Sequence, residues 1–253
     1  MKILRIAGTT ACLLVASATA VSAAAASKYA VLSLIGDSMT VVTYAPAVGS
    51  RLDRNLREAV LVKDPVFDRA AAKAVEQALQ KVDPRNTATL LAGSAPNLFV
   101  DQWKLFEGSR LSLGEDLNAS LRASGNSYMV VLTKHRAEAR LGTGWTAGSG
   151  FLEGIGFYID RDLSMEPHQT GTEAASGFLA PYAYVKLSLV ELASSRVIRE
   201  EVVKASRIVP RARVESRDPW SALTGDQKAT MLRELVVTEI ERVVPLLVGG
   251  ARS

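Results

Sequence analysis

Two long stretches with the pattern of β-strands, separated by only three residues, constrain this chain more than any other feature. They cover residues 182–192 and 196–206 and are joined across Ala193-Ser194-Ser195. In the first stretch, Ala183, Val185 and Leu187 alternate with other side chains, and successive side chains of a strand point to opposite faces. The pattern predicts a long antiparallel hairpin with one buried face.

Shorter strands and helices surround this hairpin. Strand patterns occupy residues 28–34, 39–44, 60–62, 89–91 and 128–132. Helix start signals are Asp64 followed by Pro65, a capping box of Ser112 with Glu115, and a second box of Thr224 with Gln227. A left-handed glycine, Gly125, is expected to end the second helix.

These elements predict an α/β protein. Its mixed β-sheet contains long antiparallel hairpins and is covered by helices, and the C-terminal helix packs on the sheet. The first two strands are expected to pair as a hairpin across Gly36-Asp37, with Gly36 at positive φ. The continuously apolar stretch 128–132 predicts a central strand that is covered on both faces.

The amino terminus has the layout of a signal peptide. Lys2 and Arg5 precede an apolar stretch, and Val21-Ser22-Ala23 supplies small residues at a cleavage site, so residues 1–23 are predicted to be removed on export. Residues 24–253 are then a single α/β domain. The only cysteine, Cys12, lies in the leader, so the exported chain is expected to form no disulfide.

The predicted export and the balance of charges limit the classes of partner that this chain is expected to bind. The formal net charge is +4, and loss of Lys2 and Arg5 leaves 28 basic against 26 acidic residues. Such a balance does not indicate nucleic acid. The expected location is periplasmic or secreted, and the expected partner is an envelope protein, a glycan or a membrane surface; the sequence carries no signal for the oligomeric state.

The order of elements resembles that of small α/β domains of the bacterial envelope. These are the curli-secretion lipoprotein, the TolB N-terminal domain and the lipoprotein activators of penicillin-binding proteins. The stretches that carry the resemblance are 29–32, 127–132 and 185–190 with its return strand. The resemblance implies a non-catalytic role in binding or assembly.

A second resemblance concerns Gly36-Asp37-Ser38-Met39-Thr40, which is similar to the first block of the GDSL or SGNH hydrolases. It implies an alternative function, a secreted serine esterase that uses Ser38 with His135 or His168 as the base. A serine hydroxyl is a weak nucleophile without such a base. Neither histidine follows an aspartate by three positions, as that family requires, and β-branched residues after Ser38 favour a strand. A turn at Gly36-Asp37 is therefore the preferred interpretation.

A glycine-rich loop or hairpin is predicted at residues 142–156. It contains Trp145 and Phe151, and Phe157 follows it. The preferred interpretation is a loop or twisted hairpin with aromatic anchors, and the alternative is contact with a partner or membrane through these aromatics. Arg211 and Arg213 are further candidates for binding, to anionic lipid or glycan.

No cofactor or metal is predicted. The only acidic cluster near a histidine is Asp160, Asp162 and Glu166 with His168, and a solvated loop is the preferred interpretation of it. The sequence thus predicts an exported envelope protein that binds or assembles without catalysis. A carrier for a small ligand is a third hypothesis.

Overall fold

A computed structural model of the chain describes residues 26–46, 53–141, 148–164, 176–209 and 218–249. In this part of the chain, the strands are β1 Lys28–Ser33, β2 Ser38–Thr43, β3 Leu56–Leu61, β4 Thr87–Ala92, β5 Phe106–Glu107, β6 Arg110–Leu111, β7 Tyr128–Lys134, β8 Arg136–Glu138, β9 Phe151–Ser164, β10 Ser176–Glu191 and β11 Arg196–Ser206. The α-helices are α1 Val66–Val82, α2 Pro96–Val100, α3 Glu115–Ala123 and α4 Gly225–Gly249. Short 3-10 helices cover Gln102–Leu105 and Pro219–Ala222.

The strand β10 organises the mixed sheet. It pairs with β11 as the predicted long antiparallel hairpin, and its turn has Ser195 at a φ of 56°. On its other edge, the first half of β10 pairs with β9 and the second half pairs with β7. The sheet therefore divides into two branches along this edge, β7-β1-β4 and β9-β2-β3.

The predicted hairpin of β1 and β2 is wrong, because these strands belong to different branches. Strand β1 lies between β4 and β7 and is parallel to both, so both of its edges are occupied. Strand β2 pairs with β3 and with β9. The turn Gly36-Asp37 carries the chain from one branch to the other.

The close approach of helix α1 explains the glycine in this turn, and a positive φ does not. Gly36 is not among the glycines with positive φ in the described residues. A Cβ placed on it would lie 2.9 Å from the backbone nitrogen of Asp68 and 2.9 Å from Cβ of Phe67. Asp68 Oδ1 accepts hydrogen bonds from Ser33 Oγ, Ile35 N and Gly36 N at 2.7, 2.9 and 3.1 Å.

Helix boundaries follow the sequence in part. The box of Thr224 and Gln227 is confirmed by reciprocal bonds of 2.9 and 3.2 Å. Gly125 is confirmed as a left-handed residue with a φ of 81°. The caps predicted at Asp64 and Ser112 are wrong: α1 begins after Pro65 and α3 after Gly114, both without a side-chain cap. The φ of 80° at Gly114 turns the chain directly into α3, so Ser112 lies too far back.

Buried apolar side chains form three clusters that cover the two faces of the sheet. Helices α1 and α4 pack on one face over Val31, Leu132 and Leu187, so the C-terminal helix packs on the sheet as predicted. On the other face, one end is covered over Met129 and Val131 by the segment 98–121. The opposite end is a cluster of tyrosines at 158, 182 and 184 beside Leu152. The open part of this face lies between these two ends.

Candidate functional site

A cleft opens where the two branches of the sheet separate. It consists of two adjoining cavities of about 350 and 510 Å³, which share Phe99, Val100, Lys134, Arg136 and Glu153 in their walls. The parallel strands β1, β4 and β7 all end toward it. In open α/β sheets, ligands bind in crevices beyond the carboxyl ends of the strands. We call these two cavities the fork cleft.

The floor of the first cavity is an ion pair beside a hydroxyl. Lys134 Nζ lies 2.5 Å from Asp37 Oδ1, in contact but without hydrogen-bond geometry, and donates to Ser38 Oγ at 3.3 Å. Lys134 is the last residue of β7, whereas Asp37 lies in the turn that crosses between the branches and Ser38 follows this turn. The fold thus brings together residues that are almost 100 positions apart in the chain.

One wall of the cleft consists of residues 96–105, which we call the α2 wall. Val100 is 77% exposed and Trp103 is 73% exposed, although both line the cleft. Gln102 fixes this wall to the sheet. Its amide nitrogen donates to the carbonyl of Leu34 at 2.6 Å, and its amide oxygen accepts from the backbone nitrogen of Lys134 at 2.8 Å. The side chain therefore takes the place of a peptide group between the ends of β1 and β7.

The facing wall consists of residues 136–138 and 151–154, which we call the hairpin wall. These two segments pair antiparallel, with Arg136 opposite Glu153 and Glu138 opposite Phe151. The Arg136 guanidinium lies 5.1 Å from the ring centroid of Phe151. Within the described residues, its nearest carboxylate oxygen is on Glu153, 3.9 Å away. A cation over an aromatic ring is attracted to it, and this contact helps to hold the guanidinium in place.

Hydrogen bonds attach the start of the hairpin wall to β3 and to the segment before it. Asp53 accepts a hydrogen bond from the backbone nitrogen of Phe151, and Asn55 donates to the carbonyl of Ser149 at 2.6 Å. Arg57 donates to Asp53 and to the carbonyl of Phe151. Burial opposes the charge on Asp53, but the bonds from Arg57 and from backbone N–H groups outweigh it and lower the pKa of this carboxyl group.

The second cavity contains a polar network on the open sheet face. Glu200 accepts hydrogen bonds from Lys186 Nζ at 2.8 Å and Ser188 Oγ at 2.9 Å. Partial burial opposes the charge on Glu200, yet these donors give a net lowering of its pKa. His135 lies in the same cavity, where burial first, and then the charges of Lys204 and Lys186, lower its pKa below 6.5. His135 is therefore a neutral imidazole at pH 7.

Ser38 and His135, which were candidates for a catalytic pair, line different cavities. Within the described residues, the hydroxyl of Ser38 bonds to Lys134 and to no histidine. A lysine ammonium that is paired with a carboxylate donates a proton and cannot accept one. Nothing in this arrangement supports an esterase of the GDSL type.

The aromatic candidates have different positions. Phe151 is partly exposed in the hairpin wall. The side chain of Phe157 is fully buried and packs edge-to-face on Trp220, with ring centroids 5.6 Å apart, so it fills the core and offers no exposed surface. Successive side chains of β9 point to opposite faces of the sheet, and Phe157 points to the face that α1 and α4 cover. Trp145, His168, Arg211 and Arg213 lie outside the described residues, as do the leader 1–23 and the glycine-rich segment 142–147.

Sequence reasoning missed Gln102, Trp103, Lys134 and Arg136. The stretch around Trp103 has no clear period, and Lys134 and Arg136 come just after the predicted strand 128–132. A polar group directly after a buried strand is a usable signal only when that strand is known to be parallel to its neighbours. The predicted hairpin of β1 and β2 concealed this, because it placed β1 in an antiparallel pair.

Comparisons with known proteins give no family. No family model matches the chain, and no curated protein matches it. Similar solved structures include the PelC dodecamer from Paraburkholderia phytofirmans, with 11% identity over 88% of this chain and 89% of that chain and a TM-score of 0.33. Protein XCC0632 from Xanthomonas campestris has 10% identity over 89% and 86%, with a TM-score of 0.39. A neuraminyllactose-binding hemagglutinin homolog from Helicobacter pylori has 8% identity over 86% and 82%, with a TM-score of 0.38.

These similarities are loose and carry no function over to this chain. No family model confirms the resemblance to the curli-secretion, TolB and activator domains, which stays a resemblance. The helices in the described residues include none long and apolar enough to cross a membrane.

Proposed function

We propose that this chain is a non-catalytic binding protein that holds an extended polypeptide segment in the fork cleft. The observation that supports this most is the α2 wall, where Val100 and Trp103 are mostly exposed in a cleft that charged side chains also line. Large apolar side chains exposed at a concave site indicate an interaction surface. The location at the ends of β1, β4 and β7 points to the same cleft.

The composition of the walls favours a polypeptide over other partners. Trp103, Phe106 and Phe151 each have a cation of this chain over the ring, at 5.3, 5.2 and 5.1 Å. Aromatic residues and arginine are the residues most enriched at the centres of protein interfaces. Carboxylates and cations both line the two cavities, which suits the mixed side chains of a peptide. The two cavities adjoin, and such a shape accommodates an extended chain.

The predicted signal peptide indicates where the protein acts. With residues 1–23 removed on export, the partner belongs to the periplasm or the cell surface, and an envelope protein is the expected class. Binding without catalysis is consistent with Ser38, whose hydroxyl accepts a hydrogen bond from the paired ammonium of Lys134.

The test is a selection from an unbiased library of displayed peptides against three forms of the protein. Val100→Glu places a charge on the α2 wall. Leu246→Glu makes the same change on α4, on the other face of the sheet, at a leucine that is 54% exposed. Peptides selected on the unaltered protein are expected to bind Leu246→Glu equally and to lose Val100→Glu. Equal binding to all three forms would place the site elsewhere.

Glycans and membranes are the competing outcomes. The same three proteins are applied to a glycan array and to vesicles of phosphatidylethanolamine and phosphatidylglycerol. If no peptide is selected and binding in either assay depends on Val100, the proposal of a polypeptide ligand is wrong. The cleft then remains a binding site, but for a glycan or a membrane.

A further inference from the structure

The cationic side chains of the fork cleft differ in how many hydrogen bonds and ion pairs they form with other residues of this chain. Lys134 is paired with Asp37, and Lys186 is hydrogen-bonded to Glu200. Arg57 donates to three acceptors around Asp53. Arg136 is different: among the residues that the structure describes, its guanidinium donates no hydrogen bond, and Glu153 Oε2 is its nearest carboxylate oxygen at 3.9 Å.

Arg136 is also placed where a ligand would meet it. It lines both cavities of the fork cleft, so it lies at their junction. The contact with the ring of Phe151 restricts the rotamers of Arg136 and so limits the entropy that binding would remove. A planar guanidinium with free N–H edges matches a carboxylate, to which it donates two parallel hydrogen bonds.

An apolar surface at the same junction indicates a second property of the ligand, besides its negative charge. Phe99 and Val100 line both cavities together with Arg136. A ligand group that reaches Arg136 therefore lies next to an apolar surface that Trp103 extends into the second cavity. Within the described residues, this guanidinium donates no hydrogen bond and lies beside an exposed apolar wall. Such a site favours a ligand that carries an anion next to an apolar group.

We propose that the fork cleft reads an acidic residue next to an apolar one in its polypeptide ligand, with the carboxylate on Arg136 and the apolar side chain on Phe99 and Val100. This proposal rests on the proposed function and names the ligand class of that site. Arg136 is the specificity-determining residue, and the α2 wall supplies the apolar contact.

The structure offers a matched control for Arg136. Arg140 lies four residues further along, and its guanidinium is also 3.9 Å from a glutamate oxygen, on Glu138. Its side chain is 80% exposed, and it lines neither cavity of the cleft. Arg136→Gln and Arg140→Gln therefore remove the same charge from positions four residues apart, one inside the cleft and one outside it.

The experiment repeats the peptide selection on the unaltered protein, Arg136→Gln and Arg140→Gln. Peptides selected on the unaltered protein and on Arg140→Gln are expected to be enriched in Asp or Glu beside an apolar residue. Peptides selected on Arg136→Gln are expected to lack this enrichment. For one selected peptide, replacing its acidic residue with Gln is expected to weaken binding about tenfold, which corresponds to about 1.4 kcal/mol. On Arg136→Gln, the same replacement is expected to have no effect.

The possible outcomes distinguish the proposed role of Arg136 from the proposed peptide-binding function. One result is that the selected peptides depend on Val100 but show no preference for acidic residues, and another is that they keep this preference on Arg136→Gln. Either result contradicts the proposed role of Arg136 and leaves the peptide-binding function in place. A selection that yields no peptide overturns both. If glucuronate oligomers bind in an Arg136-dependent way and no peptide does, the anion belongs to a glycan and the polypeptide assignment is wrong.

Discussion

At the scale of single residues, the site depends on polar side chains that replace missing backbone partners. Asp68 is an example: it is buried at the start of α1 and accepts three hydrogen bonds from the end of β1 and the crossing turn. Burial raises the pKa of its carboxyl group, against the effect of these donors. Because this turn contains Asp37 and leads directly to Ser38, Asp68 positions the floor of the cleft.

Replacing Asp68 with Ala is expected to lower the free energy of unfolding by about 3 kcal/mol, because several donors lose their acceptor in a buried place. Asp68→Asn retains an acceptor oxygen and removes the buried charge, so its loss is expected to be smaller. Urea denaturation of the three proteins measures the difference. Equal losses for Ala and Asn would show that the hydrogen bonds do not hold the turn.

His135 makes a prediction about pH. Its pKa is lowered in the folded protein, so the unfolded chain, with a value near 6.5, binds the proton more readily. The contribution of this residue to stability is therefore complete above about pH 6.5 and decreases as the pH falls toward the folded pKa. In histidine NMR titrations, assigned with His135→Gln, the His135 midpoint is expected below 6.5 and is expected to rise in Lys204→Gln. A midpoint at or above 6.5 would contradict the described surroundings.

At the scale of elements, the cleft exists because short segments are attached to the ends of parallel strands. The α2 wall has no buried residue in its helix and is held by contacts of Gln102 with Leu34 and Lys134. The hairpin wall is held by Asp53, Asn55 and Arg57. Polar side chains that bond to backbone groups thus help to fix both walls, together with the buried side chains of Leu105 and Leu152.

Gln102→Leu is expected to lower the free energy of unfolding by about 2 kcal/mol, because the carbonyl of Leu34 and the amide of Lys134 each lose a partner. Faster hydrogen exchange is expected at the amide of Lys134. Gln80→Leu is the control, since Gln80 is exposed on α1. If the amide of Lys134 keeps its protection in Gln102→Leu, Gln102 does not attach the α2 wall.

The sequence predicts elements better than it predicts their pairing. The β10-β11 hairpin, the central strand β7 and the C-terminal helix follow from local periodicity and are confirmed. The pairing of β1 does not, because its parallel neighbours β4 and β7 are about 60 and 100 residues away, and no local signal selects them. The site was missed for the same reason: Lys134 meets Ser38 only through this pairing.

At the scale of the whole molecule, a sheet that divides along one long strand creates the fork cleft. Strand β10 has 16 residues and accommodates β9 and β7 one after the other on the same edge. One face of the sheet is sealed by α1 and α4, so a partner has access to the opposite face, between the covered end over Met129 and the tyrosine cluster. Binding at the fork is therefore a property of the topology as well as of individual side chains.

The most direct test of this account is amide chemical-shift mapping of the protein during titration with a selected peptide. The largest shifts are predicted at residues 99–103, 134–136 and 151–154, with little change in α1 and α4. Largest shifts on the exposed strand β3 or on the outer surface of α1 and α4, with residues 134–136 unaffected, would contradict the fork cleft as the binding site.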